Sequence, residues 1–443
     1  MREILFLAHR IPWPADRGDK IRSHHILKRL CEMAPVHVGT FADDERDLGF
    51  VSEMDDILAS IHVELRRKPQ WQAGGEAILT GQPVSVCSFG SGTMQDWVDG
   101  LLASGRISHI FCFSGQMAQY VPLSFGGRFI MDFVDVDSAK FESYASEGNP
   151  LMRWVNAREG RLLAEFEKRI ANRADASLLV SEAEAGLFRS RSGAANISAL
   201  GNGIDTVFYD PAAKFKKLHP VFPDPLIVFT GQMDYRPNIE AVTDFAMNAM
   251  PIIRAIHPET SFAIVGRNPT SAVSELSTLP GVQVTGAVDD VRTWLAGADV
   301  VVAPLRIARG IQNKVLEAMA MAKPVVVSTA AAEGIAATDG EHYFVETNVA
   351  AEAERVVALL ADSGRALAKG KAARAHVLAH YGWDKQLDPL NVIMQFNPSP
   401  FASSEDERPI QQAQQMGVSS SSRGKEVYPD QVEGLDTNGF GNP

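Results

Sequence analysis

Along this chain, short apolar runs alternate with longer stretches in which apolar residues recur at helical spacing. In the first half, 4–8, 36–41, 107–113, 129–134 and 176–180 read as strands, and 21–33 and 151–174 read as helices. Strand–helix alternation of this kind predicts a parallel, doubly wound α/β sheet. The turn signal Asn202-Gly203 and a polar, proline-rich stretch ending at Pro225 interrupt the rhythm. It then restarts, with strand-like runs at 226–230, 262–265, 282–285, 300–304 and 324–328 and helical patterns over 238–256 and 312–322. Helical segments from 351 to about 396 follow. The pattern predicts two α/β halves of comparable size with a hinge between them.

Composition adds bounds to this picture. The 443 residues suit two domains, and 45% hydrophobic with 22% charged residues supplies ample core. A net charge of −12 argues against nucleic acid as a partner and against a strongly basic membrane patch. Cys31, Cys87 and Cys112 are scattered and odd in number, which fits a reducing compartment better than a disulfide frame. The apolar run at the start is too short for a signal peptide, and no stretch approaches the ~20 apolar residues that span a bilayer. The expected location is cytoplasmic, with room for peripheral association with the inner membrane. After Asn397 the chain turns to Ser, Gln, Gly and Pro, so a disordered tail is expected over 398–443.

Open α/β sheets bind ligands beyond the carboxyl ends of their strands. The richest such place is Arg306 to Val327, R-I-A-R-G-I-Q-N-K-V-L-E-A-M-A-M-A-K-P-V-V-V. A strand over 299–304 runs into a loop containing Gly310, and a helix is expected from about Ile311. Arg306, Arg309 and Lys314 crowd its start. Unpaired N–H groups and a partial positive charge at a helix N-terminus, joined by these cations, make an anion site. Asn313 and Glu317 share a helix face. A carboxylate there suits ribose hydroxyls, so the set suggests a nucleotide diphosphate carrying a sugar. The bland alternative is an amphipathic helix with Lys314 and Glu317 as a surface pair.

Other strand ends carry weaker signals. The loop H-R-I-P-W-P-A-D-R-G-D-K-I-R-S brings Gly18, Asp19, Lys20 and Arg22 to a helix start, for ligand binding or for simple capping. In M-D-F-V-D-V-D-S, Asp132, Asp135 and Asp137 could hold a divalent ion, line an acceptor edge, or brace the loop. Gly231 opens G-Q-M-D-Y-R-P-N, where Arg236 either reaches a phosphate or stays solvated. Gly266-Arg267 ends the next strand, and the segment closing at Val288 offers backbone to a nucleobase edge.

Taken together, H-R-I-P-W-P-A-D-R-G-D-K-I-R-S, D-F-V-D-V-D-S, N-G-I-D-T-V-F-Y-D-P, G-Q-M-D-Y-R-P-N and A-P-L-R-I-A-R-G-I-Q-N-K-V-L-E-A-M-A resemble the retaining glycosyltransferase family 4. The likeness covers about residues 1–397. It is nearest to the sugar transferases of PEP-CTERM/exosortase and exopolysaccharide clusters. The resemblance implies a GT-B fold, two Rossmann-like doubly wound domains facing a central cleft. It implies an acceptor-side domain over 1–215, a nucleotide-sugar-binding domain over 224–379, and a closing helix over 380–397 that packs back towards the first. It further implies a retaining, metal-independent hexosyl transfer without a cofactor. The donor is then a nucleotide sugar, and the acceptor a glycan or a lipid-linked chain. Catalysis would rest on Arg309, Lys314 and Asp135. The donor would meet Gly18, Gly231, Arg267, Val288, Gly310, Asn313 and Glu317. The acceptor would meet Asp19, Lys20, Arg22 and Asp137. Two positions depart from the family pattern. Arg309 stands where relatives carry a first Glu, and Gln232 stands near an expected Arg. Two alternatives stay open, a nucleotide-sugar epimerase of similar fold and a non-catalytic sugar-nucleotide-binding scaffold.

Overall fold

The structure, a computed structural model, describes residues 2–15, 18–54, 56–146, 149–216, 218, 225–308 and 311–395. The expected tail, and Arg309 and Gly310, lie outside them. Among the described residues the strands form two sheets, and every pair within them is parallel. The first contains β1 (Glu3–Ala8), β2 (Val36–Ala42), β3 (Ser60–Leu65), β4 (Ile107–Phe113), β5 (Arg128–Val134), β6 (Ala176–Leu179) and β7 (Ile197–Ala199), in the order β3-β2-β1-β4-β5-β6-β7. The second contains β8 (Leu226–Thr230), β9 (Ser261–Val265), β10 (Val282–Gly286), β11 (Val300–Ala303), β12 (Val325–Ser328) and β13 (Phe344–Glu346), in the order β10-β9-β8-β11-β12-β13.

These are two doubly wound Rossmann-like sheets, as the alternating pattern predicts. Central strands such as β1 and β8 are buried along their whole length, which is why they read as unbroken apolar runs. Strands β3, β7 and β13 had no such signature. Every residue of β3 is only half-buried at the sheet edge, so its sequence S-I-H-V-E-L keeps polar positions. In each half the strand order reverses at the first strand: β1 lies between β2 and β4, and β8 between β9 and β11. Such switch points open a crevice at the carboxyl ends.

The helical run expected over 238–256 is Arg236–Asp244, a π-helical turn Phe245–Ala249, and Met250–Ile256. Pro251 has no N–H to give, and the wide turn before it absorbs the missing bond. At the far end, the helices Trp383–Leu387 and Pro389–Met394 leave the second half. Trp383, Leu387, Leu390 and Met394 are buried in the core cluster of the first sheet, beside Ile26 and Leu27. Ile393 O accepts from Arg128 Nε at 2.6 Å. The chain thus crosses between the halves twice, and the crossings touch. Ile204 N donates to Tyr381 O at 2.7 Å. A Cβ on Gly203 would stand 2.6 Å from Trp383 Cα, so only glycine fits there. No helix among the described residues is long and apolar enough to cross a membrane.

Candidate active site at the two switch points

In the second half the site starts from two glycines. Gly231 follows β8 with φ 155°, and Gly266 follows β9 with φ 157°. A Cβ on Gly266 would stand 1.6 Å from Gly231 O, so these strand ends pass as closely as bare backbone allows. A Cβ on Gly231 would stand 2.8 Å from Asn238 Nδ2 and 3.1 Å from Lys314 Nζ. Three expected or quoted motifs thereby meet at one point. Asn238 is buried in the first turn of the Arg236–Asp244 helix. Its Nδ2 donates to Gln232 O at 2.9 Å, and its Oδ1 accepts from Lys314 Nζ at 2.7 Å. The Lys314 ammonium also stands over the Phe229 ring, 4.5 Å from its centroid. A cation held this way has its position fixed before any ligand arrives.

Lys314 belongs to the helix Asn313–Ala320, which starts beyond the carboxyl end of β11 with Gln312 at its N-cap. Both Lys314 and Glu317 are only 6% exposed, which removes the reading of a solvated surface pair. Asn313 is half-buried at the first position of that helix. Arg267 follows Gly266. With the Gln232 amide turned so that its oxygen faces the guanidinium, that oxygen accepts from Arg267 Nε at 2.8 Å. Val288 is half-buried in the loop after β10 and packs on the core.

Arg306 does not join this cluster. It reaches the other way, giving Nη1 to Glu352 Oε1 at 2.9 Å and Nη2 to Asp244 Oδ2 at 3.1 Å. Burial alone would hold the Glu352 carboxyl well above its ordinary range, and Arg306 works against that. Arg306 is therefore a structural counter-ion. Arg236 is the solvated case as well, paired with Glu240 at 2.7 Å on the surface.

In the first half, the carboxyl ends of β1 and β2 hold a buried ion network. Arg10 Nη1 donates to Asp19 Oδ2 at 2.8 Å and Nε to Asp43 Oδ2 at 2.7 Å. Arg66 Nε reaches Asp43 Oδ1 at 3.1 Å. Lys20 Nζ donates to Asp47 Oδ1 at 2.7 Å. His9 stacks on Phe113 and meets Phe89 edge-on. Arg10 Nη1 approaches His9 Nε2 at 3.1 Å. The same Nε2 lies 3.4 Å from Asp19 Oδ2, so His9 sits between the guanidinium and the carboxylate. Burial lowers the His9 pKa. His9 and Arg10 open the quoted loop and Asp43 follows β2, and no local pattern marks the three as one network.

The residues expected on the acceptor side are largely buried in ion pairs. Arg22 is fully buried. Its Nε donates to Asp132 Oδ2 at 3.0 Å and its Nη1 to Asn202 Oδ1 at 2.9 Å. It ties β5 to the interdomain crossing. Asp19 and Lys20 are also buried and committed to Arg10 and Asp47, so they brace the loop that Gly18 opens. Asp135 and Asp137 share Lys140, at 3.0 and 3.3 Å. The three carboxylates of the D-F-V-D-V-D motif are thus divided between Arg22 and Lys140.

Comparison with known proteins fits this geometry. Residues 224–362 match the family described as Glycosyl transferases group 1. A phosphatidyl-myo-inositol mannosyltransferase of Propionibacterium freudenreichii is 29% identical over 223 residues, 48% of this chain and 54% of its own length. A GDP-mannose-dependent monoacylated alpha-(1-6)-phosphatidylinositol monomannoside mannosyltransferase of Corynebacterium glutamicum is 28% identical over 250 residues, 52% of this chain and 65% of its own. The chain thus spans 54% and 65% of the length of these two relatives. Among solved structures, Anabaena Alr3699/HepE in complex with UDP superposes with TM-score 0.55 at 15% identity, covering 88% of this chain and 99% of that one. Sucrose-phosphate synthase (tll1590) from Thermosynechococcus elongatus gives 0.60 at 19%, covering 89% and 98%. At these identities the likeness is one of fold. The chain has the GT-B fold, and its residues 224–362 are similar to the glycosyl transferases group 1.

Proposed function

We propose that the chain moves a sugar from a nucleotide-diphosphate sugar to a lipid-linked or glycan acceptor, with retention and without a metal ion. The carrying observation is the buried Lys314 ammonium, held by Asn238 against Gly231 at a sheet switch point, with Glu317 one turn on. The bond from the anomeric carbon to the diphosphate breaks, and a bond to the acceptor oxygen forms on the same face. The acceptor proton passes to the leaving phosphate. Lys314, Arg309 and the N–H groups opening the Asn313–Ala320 helix stabilise the charge that develops on the diphosphate. Gly231 and Gly310 let the backbone approach it. Glu317 accepts from ribose, with Asn313 beside it. Arg267 and the backbone near Val288 border the base. Gly18 faces the donor phosphate from the first half, and Asp135 and Asp137 lie on the acceptor side with Lys140 as their counter-ion.

The Corynebacterium glutamicum relative is GDP-mannose-dependent by name, which makes GDP-mannose the first donor to try. Mannosylation of a membrane glycolipid or of a lipid-linked exopolysaccharide precursor both fit this reading, and both bring the protein to the inner membrane as a peripheral enzyme. The test is a panel of nucleotide sugars in thermal-shift assays, followed by turnover read as nucleoside diphosphate release and the anomeric configuration of the product. One donor should stabilise the fold and be consumed, with the product retaining configuration and the rate surviving EDTA. Stabilisation with no turnover on any acceptor points to a binding scaffold. Conversion of the donor to an epimer without diphosphate release points to an epimerase.

A further inference from the structure

Among the described residues, the first half carries an exposed apolar face. The helix Gln70–Thr80 exposes Trp71 (79%), Ile78 and Leu79 (88%), while Ala73 and Ala77 are its buried positions. Trp71 and Ile78 are seven apart, so they lie on one stripe. The helix Pro150–Ala171 begins with Leu151, Met152 and Trp154 (62%), all exposed. The two patches adjoin. Arg158, one turn on from Trp154, donates through Nη2 to Ala77 O at 2.7 Å, next to Ile78. Glu159 Oε2 and Oε1 accept from Val84 N and Ser85 N at 2.8 and 2.9 Å, so the pair of helices is fixed through the segment after Thr80. Six large apolar side chains on two joined helices exceed the scattered single exposures of an ordinary surface.

Charge says what covers them. The whole chain is strongly acidic, at −12. These two segments are locally basic: Arg66, Arg67 and Lys68 lead into the first helix, and Arg153, Arg158 and Arg161 stud the second. The acidic residues on the two helices are Glu76, held by Lys68 at 2.9 Å, Glu159 and Glu167, which are buried, and Glu165, which is exposed further along the second helix beside Lys168 and Arg169. Exposed tryptophans and leucines ringed by arginines match the boundary between acyl chains and anionic headgroups. Position agrees too. The first helix follows the carboxyl end of β3. The Pro150–Ala171 helix packs on Asp137–Tyr144, whose Ser138 donates to Glu167 Oε1 at 3.0 Å just beyond the end of β5.

We propose that Trp71, Ile78, Leu79, Leu151, Met152 and Trp154 seat the first half on an anionic phospholipid surface, with Arg67, Arg153 and Arg161 against the headgroups. The docking stands on this surface alone. That it brings a lipid-borne acceptor to the sheet ends rests on the transfer reaction proposed above.

The full chain should be sedimented with phosphatidylcholine vesicles and with vesicles that also contain phosphatidylglycerol. Binding should favour the anionic vesicles at least tenfold, weaken with salt, and shift tryptophan emission to the blue. Trp71→Ser with Trp154→Ser should lower partitioning at least tenfold. Arg153→Glu with Arg161→Glu should abolish the preference for anionic lipid. Both pairs of sites are exposed, so unchanged circular dichroism and melting should accompany the loss. Nucleotide-sugar-dependent stabilisation in solution should also be unchanged, which keeps this test separate from that of the transfer reaction. The proposal is overturned if the wild type ignores both vesicle types, if the variants bind as before, or if the tryptophan variants turn a dimer into a monomer with no change at vesicles. The last outcome would assign the face to a second copy.

Discussion

At the scale of single residues, what a cation does here depends on partners far along the chain. Arg306 and Lys314 flank the same loop, and from sequence both suit a phosphate. Glu352 and Asp244 take Arg306 out of the site, while Asn238 leaves Lys314 in it. Those partners are 46, 62 and 76 residues distant, so no local pattern could have separated the two roles. The same is true of Arg22, whose partner Asp132 is 110 residues on. By contrast Gly231, Lys314 and Glu317 were legible, because glycine, lysine and glutamate at fixed offsets from a strand end carry local meaning. Lys314→Ala should weaken nucleoside diphosphate binding roughly ten- to a hundred-fold, the value of a charge-assisted bond or two, measured by titration calorimetry. Arg306→Ala should leave that affinity alone and lower the melting temperature. Arg22→Met should cost about 3–5 kcal/mol in denaturant unfolding by stranding a buried carboxylate, and adding Asp132→Leu should recover part of it. A larger loss in the double variant would mean the pair itself stabilises the fold.

At the scale of elements, the central strands were readable because burial on both faces makes them continuously apolar. Edge strands were not, since half-burial leaves β3 with His62 and Glu64. Helix termini hide their own chemistry. Glu167 accepts from Ser138 N and Ser138 Oγ at the start of the Asp137–Tyr144 helix, in full burial. Burial raises its pKa from 4.5 to about 8, against the opposing bonds from Ser138. A carboxyl raised in the folded state binds its proton more tightly there than when unfolded. Its contribution is complete below about 4.5 and is lost as pH rises towards 8. Glu167→Gln should flatten that slope in melting curves taken across this window. An unchanged slope would assign it to other groups.

At the scale of the whole molecule, the halves are joined by two adjacent crossings and a clasp of aromatic rings. His25 stacks on Trp383 with centroids 4.4 Å apart, and His24 lies against Trp13. Burial lowers the two imidazole pKa values from 6.5 to about 4 for His24 and about 3 for His25. Groups depressed in this way stabilise the fold above 6.5, and that stability drains away as pH falls towards 3. Acid should therefore release the Trp383–Leu387 and Pro389–Met394 helices first. Hydrogen exchange corrected for the intrinsic pH dependence of amide exchange should show lower protection there at pH 5 than at pH 7.5, and His25→Gln should suppress the difference. The residue pattern indicated helical segments at this end, and the family resemblance implied that they pack back. Neither could name His25 and Trp383, which come together only once both domains exist.

The central claim is that a nucleotide diphosphate lodges at the switch point of the second sheet. Crystals soaked with GDP or UDP test it most directly. The account predicts the diphosphate within bonding distance of Lys314 Nζ and the N–H groups opening the Asn313–Ala320 helix, with ribose hydroxyls on Glu317. A nucleotide bound at the first sheet, or with its phosphates on Arg306 instead, would contradict it.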